Sequence, residues 1–307
     1  MEVKVIRAGM LTTVQDLGRP GHRAAGVPLC GAMDAFALRV ANLLVGNPEN
    51  AAAIEFTLAG PELVFEKDAL VAVCGGDFAA LSPWRPAIIR AGEPLRFSHA
   101  RRGCRGYLAI AGGLRIAPVL GSCSTFLRGG FGGWKGRALR DGDVLDAEES
   151  ERRVSGTWRV DGRIIPPYSA APEVRVVPGA QAQEFDGEFF STEFDVSPQS
   201  DRMGVRLKGP ALVRSTADGV ASATVVPGTI QVPPDGQPIV LMADAQTIGG
   251  YPQIAHVIGV DLPLVAQLRP GDKVRFRQIT LGEAHELLLA RERAIGILRE
   301  GIALKFL

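Results

Sequence analysis

Pro270-Gly-Asp-Lys-Val-Arg-Phe-Arg-Gln278 reads as a tight turn that feeds a β-strand. Pro-Gly-Asp is turn chemistry, and the alternation of polar and apolar residues after it has the period of a half-buried strand. Ala91-Gly-Glu-Pro-Leu-Arg-Phe97 repeats the pattern in the first half. Each stretch reads as a turn entering a strand near the end of a half, so the chain divides into two β-rich halves. Gln15-Asp-Leu-Gly-Arg19 also echoes Gln199-Ser-Asp-Arg202 weakly. Internal duplication and chance similarity both stand as explanations at this level.

Working outward, short apolar runs recur at Val3 to Ile6, Ala69 to Cys74, Tyr107 to Ala111, Val174 to Val177 and Ile239 to Ala243. Their lengths and β-branched content predict strands. The 37 glycines and 21 prolines supply turns between them. Two segments break the pattern. From about Asp34 to Val45, Phe36, Val40 and Leu44 recur every four residues, with Asp34 as N-cap and Gly46 as terminator, which predicts a helix. From about Thr280 to Arg299, Thr280-Leu-Gly-Glu283 forms a capping box and Gly301 offers a stop. The stretch from Ala147 to Pro172 is rich in charge, Gly and Pro and is the expected boundary. The expected domains are 1–150, β-rich, and 170–307, a β-barrel with a terminal helix.

Composition narrows the function. A chain of 307 residues can bury a core without disulfides or metals. Its net charge of +1 gives no electrostatic footprint for nucleic acid or an acidic membrane surface. No apolar run is long enough to span a bilayer, and the N-terminus does not read as a signal peptide. Cys30, Cys74, Cys104 and Cys123 lack Cys-x-x-Cys spacing and read as small buried hydrophobes in a reduced, cytoplasmic setting. His22, His99, His256 and His285 lack ligand spacing, so no metal site is expected.

No self-contained catalytic motif is present: no Gly-x-Ser-x-Gly, no His-Glu-x-x-His and no Walker loop. Polar residues are instead set among glycines. They lie in Thr12 to Gly21, Gly31 to Asp34, Ser200 to Gly209, Gly228 to Gly236 and Asp244 to Pro252. Glycines let a backbone approach a ligand, and nearby amides and charges can then fix it. The same pattern serves ordinary Asx turns and Arg–Asp pairing, which is the commoner use of any one such motif.

Taken together and in order, these stretches resemble one family. Thr13-Val-Gln-Asp-Leu-Gly-Arg19, Gly31-Ala-Met-Asp34, Ala41 to Asn47, Glu55 with Gly60-Pro61, Tyr107 to Gly113, Gly121-Ser122, Ser200 to Gly204 and Asp244 to Pro252 look like the biotin-dependent carboxyltransferase family. That family includes allophanate hydrolase subunit 2, KipA and the C subunit of 5-oxoprolinase. One departure is Cys123, which stands where the family usually has Arg between two serines. The glycine-rich Gly129 to Gly136 loop fits the family and also reads as a plain hairpin tip.

The resemblance implies a mainly β fold of two cyclophilin-like β-barrel domains with a few helices, one of them C-terminal. It implies a component of a multi-subunit, ATP-dependent hydrolase opening 5-oxo-L-proline to L-glutamate. A urea carboxylase type of carboxyltransferase and a non-catalytic, KipA-like antagonist are its alternatives. Two partners are expected. One is a smaller cyclophilin-like protein, of the KipI or 5-oxoprolinase B-subunit type. The other is the LamB/YcsF-type A subunit. ATP would be used by the complex and biotin, if used, would be carried by another protein; no cofactor is expected to be tightly bound here. From residue type, Asp244, Gln246, Asp201 and Arg202 are the expected catalytic groups. Gln231, Thr247, Gly249, Gly250 and Tyr251, with Gln15, Asp16, Arg19 and Asp34, are expected to bind substrate.

Overall fold

The computed structural model describes residues 1–306 apart from 153–157, 186 and 217–218. Part of the expected boundary, 153–157, therefore lies outside the described residues. The chain divides into two compact units. The first holds Met1–Arg19, Cys30–Ile165 and Arg293–Leu307; the second holds Pro20–Leu29 and Pro166–Glu292.

The first unit contains strands β1 (Glu2–Arg7), β2 (Leu11–Gln15), β3 (Ala53–Thr57), β4 (Glu62–Phe65), β5 (Ala69–Asp77), β6 (Pro86–Ile89), β7 (Pro94–Arg96), β8 (Arg102–Ile110) and β9 (Val144–Asp146). They form two sheets, ordered β7-β4-β1-β9 and β2-β3-β8-β5-β6. One core serves both. Val3, Val5, Leu63, Phe65, Leu95 and Leu145 from the first sheet meet Ile54, Phe56, Val71, Val73, Leu108 and Ile110 from the second. Phe56 anchors it, with ring centroids 4.6 Å from Phe97 and 4.7 Å from Phe78. The first half is thus the β-rich unit expected, built as two sheets on one core.

Helix α1 (Ala35–Leu44) packs on β5 and β8. This explains why both strands are buried almost continuously and do not alternate: both of their faces are covered. The expected cap is realised, since the Asp34 carboxylate accepts from the Ala37 amide at 2.9 Å.

The second unit contains β10 (Glu173–Pro178), α2 (Glu188–Ser191), β11 (Glu193–Val196), β12 (Gly204–Lys208), β13 (Ala223–Thr224), β14 (Thr229–Gln231), β15 (Ile239–Leu241), β16 (Ile248–Gly249), β17 (Gln253–Val257), α3 (Leu262–Ala266) and β18 (Lys273–Gln278). Seven strands close a barrel in the order β10-β17-β14-β15-β12-β11-β18, completed by parallel pairing of β18 with β10. Closure leaves the barrel without open sheet edges. The turn into β18 behaves as read: Gly271 has φ 88°, and Val274 and Phe276 point inward while their neighbours are exposed. Phe276 stacks on Phe189 at 4.8 Å. The short ribbon β13–β16 lies outside the barrel order.

Helix α4 (Leu281–Ala303) begins with the expected capping box. The Thr280 amide donates to the Glu283 carboxylate at 2.7 Å, and the Glu283 amide donates to Thr280 Oγ1 at 3.2 Å. Gly301 does not end this helix. Ile302, just beyond, is buried, and burying an isoleucine contributes about 1.5–3 kcal/mol against about 1 kcal/mol for a helical glycine.

Candidate functional site

The sequence-predicted residues fall into two clusters, one in each unit. In the second unit, Asp244 follows β15 and Arg202 precedes β12. Arg202 donates to both carboxylate oxygens of Asp244, at 2.9 Å each, and both side chains are 5% exposed. Backbone ties the same pair, since the Asp244 amide donates to the Arg202 carbonyl at 3.0 Å. Residue type alone has Asp244 accept from a substrate N–H and Arg202 hold a carboxylate; in the fold the two side chains meet each other. Asp201 is exposed and takes turn duty, accepting from the Met203 and Gly204 amides at 2.8 and 3.1 Å.

Beside this pair lies an amide face. Gln231, at the end of β14, is buried and donates to the Tyr251 carbonyl at 3.3 Å. Its Oε1 accepts from Gln246 Nε2 at 3.5 Å. Gly249 lets the ribbon β13–β16 lie on that amide, because a Cβ there would meet Gln231 Nε2 at 2.4 Å. Gln246 and Gly250 are exposed, Thr247 is buried, and Ile248 and Tyr251 stand 60% and 45% exposed. Two primary amides flanked by exposed apolar groups can recognise a planar ligand that carries both N–H and C=O.

Arg23 escapes sequence reasoning. Its guanidinium donates to the Val225 carbonyl and reaches the Thr247 carbonyl at 3.5 Å, so the 20–29 segment supports the ribbon. Nothing local in the sequence signals a contact across two hundred residues. On the neighbouring strand pair, His256 of β17 lies opposite Thr229 of β14, with Nδ1 3.2 Å from Thr229 Oγ1, and burial pushes its pKa down.

In the first unit, Asp16 is a hub. Its carboxylate accepts from Ser122 Oγ at 2.7 Å, the Cys123 amide at 2.6 Å, the Gly18 amide at 2.7 Å and Ser124 Oγ. The Ser122-Cys-Ser124 turn therefore does hold an anion, the chain's own Asp16, and Cys123 reaches it through its backbone. Burial and the Asp16 charge push the Cys123 thiol up, against a smaller opposing effect of Arg19. Gly31 (φ 88°) packs on this hub: a Cβ there would meet the Gly18 nitrogen at 2.7 Å.

Arg19 and Gln15 flank Asp16 and are fully buried. Arg19 donates to the Ser124 carbonyl and lies 5.1 Å over the Phe131 ring, at the glycine-rich loop. Gln15 donates to Thr13 Oγ1 at 3.0 Å and the Thr125 carbonyl at 3.3 Å. Gln15 Oε1 and Arg19 Nη1 are buried without a hydrogen-bond partner. Asp34, expected to bind substrate, caps α1. Its neighbours form a network in which Tyr107 donates to Glu55 at 2.7 Å and accepts from the Asp34 amide at 2.8 Å. Thr125 carries no signal in the sequence that singles it out, whereas Ser122 and Ser124 flank Cys123 in a family turn and Phe131 lies in the glycine-rich loop.

Three of the four cysteines are buried and Cys123 is partly so; all four are free thiols. Among the described residues no group of three or more His, Cys, Asp and Glu is placed to hold a metal ion, and no helix is long and apolar enough to cross a membrane. Open cavities of about 740, 650 and 600 Å³ in the first unit border Arg152, and none is lined by a sequence-predicted site residue.

A family model described as carboxyltransferase domain, subdomain A and B, matches residues 25–278. The chain belongs to this carboxyltransferase family. Among its relatives is the C subunit of 5-oxoprolinase from Escherichia coli K12, 44% identical over 92% of this chain and 93% of that one. The Haemophilus influenzae protein of the same name is 39% identical over 90% of each chain. The Kluyveromyces lactis urea amidolyase structure superposes with a TM-score of 0.90 at 31% identity, covering 97% of this chain and 20% of that larger one. The matched carboxyltransferase segment includes the whole amide face and begins after the Gln15–Arg19 turn.

Proposed function

We propose that this carboxyltransferase-family chain is the C subunit of a multi-subunit 5-oxoprolinase, which opens 5-oxo-L-proline to L-glutamate with hydrolysis of ATP. The observation that carries this reading is the 44% identity to the C subunit of a 5-oxoprolinase, extending over nearly the whole of both chains. The amide face is consistent with it. A lactam offers one N–H and one C=O in a plane, and Gln246 and Gln231 offer the complementary acceptor and donors. Thr247, Gly249, Gly250 and Tyr251 border the ring, and the Arg202–Asp244 pair fixes the floor without touching substrate.

In this scheme the complex transfers a phosphoryl group from ATP to the lactam carbonyl oxygen and releases ADP. Water then adds to the activated carbon and the C–N bond opens to leave an acyl phosphate of glutamate; a second water hydrolyses it, and phosphate and glutamate leave. Two proteins partner the chain, one smaller and cyclophilin-like, the other of LamB/YcsF type. Biotin, where used, belongs to another protein.

The test is ATP-dependent glutamate release from 5-oxo-L-proline, measured for this chain alone and assembled with those two partners. Turnover is expected only from the assembly. Robust turnover by the single chain, or none from the assembly, would overturn the assignment. The urea amidolyase superposition favours a second reading, carboxyl transfer to urea, which the same assembly assayed with urea and bicarbonate would reveal.

A further inference from the structure

We infer that the Gln15–Arg19 turn of the first unit holds a small carboxylate-type oxyanion on Arg19 Nη1, with Gln15 Oε1 accepting from an N–H or O–H of the same ligand. The first observation is a charge without a counter-charge. Arg19 is fully buried, yet among the described residues it forms no ion pair. The nearby carboxylate, Asp16, is occupied by Ser122, Ser124 and the Cys123 and Gly18 amides. Stacking on Phe131 at 5.1 Å offsets part of the desolvation cost of the guanidinium. A buried cation that forms no ion pair remains unfavourable, and folded proteins rarely leave one so.

The second observation is the pair of unmet polar atoms. Arg19 Nη1 is a donor and Gln15 Oε1 an acceptor, both buried without partners. Both side chains lie against one short segment. Arg19 reaches the Ser124 carbonyl and Gln15 the carbonyl of the next residue, Thr125. A ligand meeting both needs an anionic oxygen and a hydrogen-bond donor. Bicarbonate has both, and so does an amino-acid lactam such as 5-oxo-L-proline. Chloride and a plain water lack the combination of charge and donor.

The glycine-rich loop closes over this spot. A Cβ at Gly132 would meet the Ser124 carbonyl oxygen at 2.2 Å and Arg19 Nη2 at 2.8 Å, so the loop backbone lies against the arginine. Gly130, Gly132, Gly133 and Gly136 all have positive φ, a conformation that glycine alone adopts freely. Entry of a ligand requires this loop to lift, and a run of glycines lowers the strain of doing so. The proposal uses residues of the first unit alone and does not rest on the 5-oxoprolinase reading, except where 5-oxo-L-proline is itself the ligand.

The experiment is thermal melting of the full chain in bicarbonate-free buffer, titrated with sodium bicarbonate, sodium formate or 5-oxo-L-proline, with sodium chloride at matched ionic strength as control. A saturable rise in Tm of roughly 2–4 °C or more is expected with an occupant and not with chloride. A rise with bicarbonate identifies a free inorganic oxyanion as the occupant; a rise with 5-oxo-L-proline alone identifies the substrate carboxylate. Formate lacks the donor and should act at least tenfold more weakly than bicarbonate. Arg19→Gln removes the charge and Gln15→Glu repels an anion, so each should abolish the rise; if one fails to fold, the other decides. The proposal is overturned if no anion shifts wild-type Tm beyond chloride, or if the shift survives at full size in the folded variants.

Discussion

Arg202 and Asp244 meet through two hydrogen bonds of 2.9 Å, with both side chains 5% exposed. The pair locks the turn before β12 to the segment after β15. Both oxygens of the Asp244 carboxylate are taken up by Arg202.

That geometry predicts the outcome of Asp244→Asn. With the pair buried, this change removes the carboxylate charge that takes two hydrogen bonds from Arg202, a loss of about 3–5 kcal/mol. Chemical denaturation of the variant should show that loss, with a lower midpoint. A midpoint equal to wild type would mean that Arg202 finds another anion.

Gln246→Ala should behave in the opposite way. Gln246 is exposed and its one described bond, to Gln231, is a long 3.5 Å. Stability should stay within about 0.5 kcal/mol. If the amide face binds the lactam, 5-oxoprolinase activity of the assembled complex should fall at least tenfold, about 1.4 kcal/mol in the transition state. Unchanged kcat/KM would remove Gln246 from the site.

Tyr107→Phe tests the network beneath α1. The hydroxyl donates to Glu55 at 2.7 Å and accepts from the Asp34 amide at 2.8 Å, and Glu55 also accepts from the Met33 amide at 2.9 Å. Removing it leaves a buried amide and a buried carboxylate short of partners, so about 1–3 kcal/mol should be lost. Burial, then the charges of Glu55 and Asp34, hold the tyrosine pKa well above its usual value, so the network stays intact across neutral pH. Urea titration of the variant measures the loss.

His256 gives a pH dependence. Burial lowers its pKa from 6.5 in the folded chain, favouring the neutral ring, whose Nδ1 lies 3.2 Å from Thr229 Oγ1. Below pH 6.5 the unfolded chain takes up a proton before the folded one does. Stability from this group is therefore full above 6.5 and falls as pH drops from there towards the folded value. Denaturation midpoints measured from about one pH unit above the ordinary histidine value to about one below it should show that decline, and His256→Gln should flatten it. A decline of equal size in the variant would assign it to other groups.

Local signals in the sequence determined the local structure. Periodicity and capping placed α1 within a residue at each end, and Thr280 with Glu283 started α4 where the capping box stands. The turn at Gly271 and the alternation through Phe276 marked β18 because one face of that strand meets a core and the other meets water. Motif order was also legible, and with it the family, since order along a chain needs no tertiary information.

What the sequence by itself could not determine is which polar groups satisfy one another. Asp16, Arg19, Asp201, Arg202 and Asp244 have the same residue chemistry in one dimension. Only the fold pairs Arg202 with Asp244, satisfies Asp16 from a turn more than a hundred residues away, and leaves Arg19 Nη1 and Gln15 Oε1 unmet. It likewise closed a barrel in the second unit but packed two sheets on one core in the first, though both halves read as short strands. Helix caps and strand alternation are set by neighbours within a few residues. Charge pairing and sheet closure are set by contacts far apart in the chain, where the low dielectric of the interior makes each partner decisive.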